Sequence, residues 1–215
     1  MVWWDSSAGP PVMVGGPDGG KGETITASNG DAKCGGALQI LPAAPGDLPT
    51  VVALFDEAIA WLGARGLAGQ WGTTSCFALP AMQTRLAGWH ARGDLFVARL
   101  DGELVGALAL GSEAPAYVTA AAAGCASPTC YVAALVTARR HAGREIGAAP
   151  LRWAAAQAGR RGTTALLLDC WADNVALCAY YERAGFAHCG TFRIGDWRGQ
   201  IFERQTPLGG EARLG

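Results

Sequence analysis

The sequence is short of charge, of histidine and of paired cysteines. Only 16% of its 215 residues are charged, the net charge is -1, and there are three histidines. Without bulk positive charge, no electrostatic argument favours nucleic acid or an anionic membrane. The histidines His90, His141 and His188 lie far from any Cys/His cluster, so the pattern of a zinc site is missing. No apolar run reaches the roughly 18 residues that a membrane-spanning helix needs. The start, Met1-Val2-Trp3-Trp4-Asp5, has neither a basic region nor a continuous apolar block, and does not read as a signal peptide. The seven cysteines include no C-x-x-C pair. Their odd number, and the apolar runs around several of them, read as reduced, mostly buried thiols in a cytoplasmic protein.

What is present is apolar material and glycine. Half of the residues are hydrophobic, enough for a sizeable core in a chain of this length. The glycine is concentrated first in residues 1–36, which hold nine glycines and three prolines. That segment buries too little to offset its ordering entropy and is expected to be a disordered leader. One domain is expected over 37–206, with a frayed tail over 207–215.

Periodicity and turn residues divide that domain. Residues 37–41 suit a first strand, and Asp47 is placed to cap a helix. Val51, Phe55, Ala58, Ile59 and Leu62 recur at helical spacing, so 48–64 reads as an amphipathic helix. Pro80 opens a second helix that ends by Gly93. Strands at 95–100 and 103–110 flank Asp101-Gly102, a strong hairpin signal. Residues 111–128 read as an alanine-rich loop. An apolar run at 130–136 suits a strand covered on both faces. A helix follows, which Pro150 restricts to a start near Ile146 or Gly147, because proline is tolerated only in the first turn. A strand at 165–169, a helix at 175–184 capped by Asp173-Asn174, and strands at 188–194 and 200–205 complete the order. Strand-helix-strand occurs twice in succession, which implies an α/β (α+β) fold with some parallel pairing and crossover helices.

The stretch from Tyr131 to Phe186 carries the chemistry. Its first strand ends in Arg139-Arg140-His141-Ala142-Gly143-Arg144-Glu145-Ile146-Gly147 and opens a helix. Free amides of a first helical turn and a positive helix end make an anion site, and a diphosphate fits it better than a single carboxylate. The G-x-G-x-x-G dinucleotide fingerprint and the P-loop are both absent. Among carboxylates, Asp169, Glu113, Asp56 and Glu57 are candidates for a general base on residue type alone. Trp61 and Trp89 suit core packing, whereas Trp71, in a loop, suits either core or acceptor binding. No cysteine is placed for a covalent route.

Arg140-x-x-Gly143, Leu168-Asp169, Asn174 and Tyr181-Glu182-Arg183-Ala184-Gly185-Phe186 occur in an order that resembles the acetyl-CoA-binding core of the GCN5-related N-acetyltransferase (GNAT) superfamily. The likeness spans roughly residues 37–206. It implies a mixed central sheet of six to seven strands flanked by about four helices, and acetyl-CoA as co-substrate. It implies that the amides of Ala142, Gly143, Arg144, Glu145, Ile146 and Gly147 hold the pyrophosphate, with Arg140 adding charge. The main chain of Leu135, Val136 and Thr137 would pair with the pantetheine arm as an added strand. An amide near Leu135 would polarise the thioester carbonyl. Asn174 would contact the cofactor, and Tyr181 would stand at the sulfur as general acid, with Tyr180 in the core. Glu145 and Pro150 depart from the family pattern.

The expected activity is direct acetyl transfer to a primary amine of a small molecule, with Trp71 on the acceptor side. The alternatives are a non-catalytic acyl-CoA-binding sensor and a protein N-acetyltransferase. No nucleic-acid or membrane partner and no metal is expected, and a homodimer is compatible with the sequence.

Overall fold

The computed structural model describes residues 38–206 apart from 123, 126–128 and 145. The expected leader and tail therefore lie outside the described residues, as does Glu145. Seven strands form one sheet: β1 (Leu38–Pro42), β2 (Leu95–Leu100), β3 (Glu103–Gly111), β4 (Thr129–Thr137), β5 (Ala165–Trp171), β6 (Ala187–Ile194) and β7 (Trp197–Gln205). Five α-helices accompany them among the described residues: α1 (Leu48–Gly63), α2 (Pro80–Ala91), α3 (Ala116–Ala121), α4 (Ala148–Arg160) and α5 (Val175–Arg183). The strand order is β1-β2-β3-β4-β5-β7-β6, and β4 and β5 are its parallel pair. The crossover between them is α4, as a parallel connection requires.

Local chemistry accounts for the boundaries. The β2–β3 hairpin turns on Asp101 at φ 51° and Gly102 at φ 85°, the left-handed region that a tight hairpin demands. Gly147 is the N-cap of α4, so Pro150 falls at the third helical position, where its missing amide costs no helical hydrogen bond. Asn174 caps α5 by accepting from the Leu177 amide at 3.3 Å.

Asp47, expected as a helix cap, makes no side-chain cap bond to α1. Its carboxylate instead accepts from the Ala44 amide at 3.0 Å and pairs with Arg99 of β2. It closes the turn before α1 and ties that turn to the sheet. The stretch expected to be an extended loop contains α3, whose one buried residue, Val118, packs with Tyr131, Phe192 and Trp197. Six residues with one apolar anchor carry too little periodicity to be read as a helix.

Side-chain alternation along the strands separates two cores. Leu166 and Leu168 face α4 and α5, with Val132, Leu151, Ala154 and Phe202. On the opposite face, Val97, Ala107 and Val136 meet Val51, Phe55, Leu86 and Trp89 of α1 and α2. The cysteines divide likewise. Cys76, Cys130, Cys170 and Cys178 are free and buried, as the apolar runs imply. Cys125 and Cys189, expected as thiols, instead form a disulfide that joins the segment after α3 to β6. Their separation of 64 residues is closed only by the sheet, so spacing gave no sign of the pair.

Two irregularities in β4 shape the site. Ala109 of β3 pairs with Ala134 while Leu110 pairs with Val132, so Ala133 is an extra residue, a β-bulge. Pairing of β4 with β5 runs from Thr129–Ala165 to Val132–Leu168 and then stops. Beyond that point the strands part, and the β5-side edge of residues 133–137 has no strand partner among the described residues.

Leu166 is fully buried in β5. Leu166→Ala is expected to cost about 2–5 kcal/mol of stability, measured by urea denaturation.

Candidate active site

The gap between the parted strands opens into a cleft of about 520 Å³, within the range of small-molecule sites. One wall is the unpaired edge of β4, Ala133 to Thr137. A second is the loop from Arg139 to Gly147, which leads into the N-terminus of α4. The third is Leu168 and Asp169 of β5 with Asn174, Leu177, Tyr180 and Tyr181 of α5 and its cap.

The loop delivers backbone to the cleft. Gly143 takes φ 81°, which a residue with a side chain adopts at a cost. Gly147 has an ordinary φ but no space: a Cβ there would lie 2.6 Å from the Tyr180 hydroxyl. Glycine thus keeps the chain low against α5 and lets a ligand approach the first amides of α4. Those amides have no intrahelical acceptor and carry the positive end of the helix dipole. Arg139 also lines the cleft, its guanidinium stacked 3.8 Å from the Trp61 ring centre, and its backbone amide donates to Glu57 at 3.0 Å.

The sequence-predicted residues fall into two groups. Leu135, Val136, Thr137, Ala142, Gly143, Ile146, Gly147, Asn174, Tyr181 and Trp71 all line the cleft. Arg140 and Arg144 do not: Arg140 turns away to an ion pair with Glu103, donating through Nε at 2.9 Å, and Arg144 is exposed. The paired Glu103 carboxyl is held below its usual value, chiefly by the Arg140 hydrogen bond. His141 lines the cleft with its side chain only 12% exposed and stands 3.7 Å from Glu103. Trp61 and Tyr180, read as core, reach the cleft as well. Trp61 lies on α1 and Tyr180 on α5, helices whose inner faces pack into the core, and the parting of β4 and β5 leaves both residues at the cleft.

Asp169 is the unusual group. It sits at the fork of β4 and β5, and one oxygen accepts from the Tyr131 hydroxyl. The other, Oδ2, is buried and has no hydrogen-bond partner among the described residues. Burial pushes the carboxyl from 3.8 up to about 6, against the opposing Tyr131 hydrogen bond and the charge of Arg85. A carboxylate there is a proton acceptor tuned toward neutral pH. The other three carboxylates are engaged or remote. Asp56 accepts from the Ser75 hydroxyl at 2.9 Å and the Cys76 amide at 2.5 Å. Glu57 holds Arg139, and Glu113 is exposed and outside the cleft lining.

Tyr181 lies across the cleft from β4, 8% exposed, wedged between Phe186 and Phe202 at ring distances of 6.1 and 5.8 Å. Burial holds its hydroxyl well above the usual tyrosine range, so it stays protonated. Cys170 and Cys178 lie behind it with their sulfurs 3.6 Å apart, and burial raises both thiols. Neither lines the cleft, so neither is placed as a nucleophile.

The model of the acetyltransferase (GNAT) family matches residues 68–186, more than half of the chain. The chain belongs to the acetyltransferase (GNAT) family. No curated protein matches it. Among solved structures, it is similar to a GNAT-family acetyltransferase of Listeria monocytogenes 4b F2365 at 19% identity and TM-score 0.65, covering 85% of this chain and 99% of that one. The yncA protein of Salmonella typhimurium, solved with its cofactor acetyl-CoA, is similar at 17% identity and TM-score 0.55, over 81% of this chain and 96% of that one. The ribosomal-protein-alanine N-acetyltransferase of Brucella melitensis matches at 20% identity and TM-score 0.56, over 77% and 98%. These likenesses show the fold.

Acetyl-CoA is the acyl donor of this GNAT domain, and the cleft fits it: an unpaired strand edge for an extended amide-bearing arm, and a helix N-terminus behind two glycines for a diphosphate. Arg139 and His141 add basic groups that the motif alone did not assign.

The raised Asp169 value has a consequence for stability. A carboxyl whose folded pKa exceeds its unfolded value favours the fold below about pH 4, and that contribution is lost as pH rises through about 6. Asp169→Asn keeps an acceptor for Tyr131 and cannot ionise. Relative to the parent, the variant is expected to gain up to about 3 kcal/mol between pH 4 and pH 7.5, measured by denaturant titration at both values.

Proposed function

We propose that this GNAT-family acetyltransferase moves the acetyl group of acetyl-CoA directly to a primary amine of a small molecule, in a ternary complex. The observation that carries this reading is that Asp169 and Tyr181 line one cleft with the unpaired edge of β4. A base and a hydrogen-bond donor thus stand on the same gap as the strand that would hold the thioester.

The steps follow from the residues. Residues 135–137 of β4 hold the pantetheine arm along their free edge, and the amides leading into α4 hold the pyrophosphate. An amide of the bulged segment near Leu135 polarises the thioester carbonyl. Asp169, ionised above about pH 6, takes the proton of the incoming ammonium through its unpartnered oxygen or one water. The freed amine forms the new N–C bond and sheds its surplus proton to solvent, the C–S bond breaks, and its electron pair leaves with sulfur. Tyr181 donates a hydrogen bond to that sulfur. Full proton transfer from a tyrosine held above its usual range to a thiolate of pKa about 8.5 is uphill, so Tyr181 acts by stabilising the developing charge and the final proton comes from solvent.

A cofactor sensor would have no need of a buried carboxylate at the thioester end of the cleft, and this favours the enzyme. The four buried free thiols suit a cytoplasmic setting, against which the Cys125–Cys189 bond stands. In the described residues no helix is long and apolar enough to cross a membrane.

Thiol release from acetyl-CoA in the presence of a panel of primary amines tests the reading. Tyr181→Phe is expected to lower kcat by about 10²–10³-fold with acetyl-CoA affinity retained. Amine-independent release, or none from any amine, contradicts it. The pH profile of kcat/KM is expected to rise with a midpoint near 6. Tyr131→Phe removes a hydrogen bond that favours the ionised carboxylate, so the rising limb should move to higher pH; a limb that stays in place removes Asp169 from the role.

A further inference from the structure

The cleft has a fourth side, built by Trp61 and Leu62 of α1 and by Leu67, Gln70 and Trp71 just after that helix. The donor arm, as derived above, uses β4, the loop before α4, and α5, which leaves this side for the acceptor. The segment is fixed by its own turns: the Gln70 amide donates to the Leu67 carbonyl at 3.1 Å, and the Leu67 amide to the Leu62 carbonyl at 2.9 Å. It is also docked on the sheet. The Trp197 indole of β7 donates to the Gly69 carbonyl at 2.7 Å. Gly69 packs so closely that a Cβ there would lie 2.5 Å from the Trp171 ring.

That docking carries Gln70 into the parting of β4 and β5. Its Oε1 accepts from the main-chain amide of Trp171 at 3.1 Å. Trp171 lies three residues past the last β4–β5 pair, Val132–Leu168. The next amide, of Ala172, donates to Arg198 of β7, so by strand alternation the Trp171 amide faces the β4 side. Gln70 thus stands where a β4 partner is missing. The same bond orients the carboxamide, because a main-chain N–H takes the oxygen and the amino group turns the other way. Gln70 is only 4% exposed yet lines the cleft, and its Nε2 makes no hydrogen bond among the described residues. A fixed donor is therefore presented to whatever occupies the acceptor side.

Asp169 is two residues back along β5, about 6–7 Å by strand rise. The two groups require opposite partners. The Asp169 carboxylate accepts from an ammonium, whereas the Gln70 amino group can only donate and needs an oxygen. With hydrogen bonds of about 3 Å at either end, one N–C–C–O unit spans the separation. A plain alkylamine covers the Gln70 donor without pairing it, and a desolvated donor left unpaired weakens binding.

We propose that Gln70 is a specificity residue for the acceptor: its Nε2–H donates to an oxygen on the carbon next to the amine-bearing carbon, so the substrate class is a primary amine with an oxygen at that position, such as a 2-amino alcohol or its ether. This rests on the amine-acetylation reading above and names the substrate class for that site.

The test compares 2-methoxyethylamine with n-butylamine, in which a methylene replaces the ether oxygen. Thiol release from acetyl-CoA is followed for the full-length parent, Gln70→Glu and Gln70→Met. The parent is expected to favour the ether amine by about 5–100-fold in kcat/KM. Gln70→Glu keeps an oxygen for the Trp171 amide but has no N–H, so its ratio should fall to one or below, through a higher KM for the ether amine. A purely structural brace of Trp171 would leave that ratio in place. Gln70→Met removes both groups without adding charge and should bring the ratio near one, which decides the matter if the glutamate variant does not fold. Equal or better turnover of n-butylamine by the parent overturns this proposal and leaves the acetyltransferase reading standing. So does a preference for the ether amine that persists in either folded variant, or release from neither probe when other primary amines are acetylated. Release from no amine at all overturns both.

Discussion

The parting of β4 from β5 is the constraint on which the rest of the structure depends. Four residue pairs hold the strands together in parallel, and the hydrogen-bond ladder ends at Val132–Leu168. A parallel sheet buried on both faces tolerates such a gap only where something else can satisfy the exposed backbone. Here the gap leaves five residues of β4 with an open edge inside a cleft. An extended ligand with amide groups answers that requirement. The bulge at Ala133 bends the strand at the same level.

Everything functional is placed relative to that fork. α4, the crossover helix, must begin near the end of β4, so its N-terminus points its free amides into the gap. α5 follows the end of β5 after a short turn, and its inner face brings Tyr180 and Tyr181 across from β4. Asp169 is trapped where the strands separate, too deep for full solvation and close enough to Tyr131 to stay partly ionisable. The raised carboxyl is a consequence of the splay: a carboxylate one residue past the last ladder pair is buried but faces an opening.

The sequence made the elements readable because glycine and proline mark their ends. Asp101-Gly102, Pro80, Gly93 and Gly185 stand at boundaries that the structure keeps. The loop before α4 was readable as a unit because its glycines, its following helix and the downstream Asn174 and Tyr181 come in a fixed order. What could not be read is what depends on distant partners. Arg140 looks like a phosphate ligand in its motif, yet Glu103, 37 residues earlier, pairs with it. Asp169 was one of four equivalent carboxylates until Tyr131 and the surrounding core set it apart. α3 was invisible because its six residues rely on a sheet face for their one buried contact.

The account's central claim is that the open edge of β4 and the glycine-lowered N-terminus of α4 form an acetyl-CoA site. Isothermal titration of acetyl-CoA into the parent and into Gly147→Ala tests it most directly. The added methyl would lie 2.6 Å from the Tyr180 hydroxyl and must displace either the Tyr180 ring, which lines the cleft, or the loop. Saturable one-to-one binding by the parent, weakened at least about tenfold in the folded variant, is the predicted result. A folded parent that does not bind acetyl-CoA, or a Gly147→Ala protein that binds it equally well, would contradict the claim.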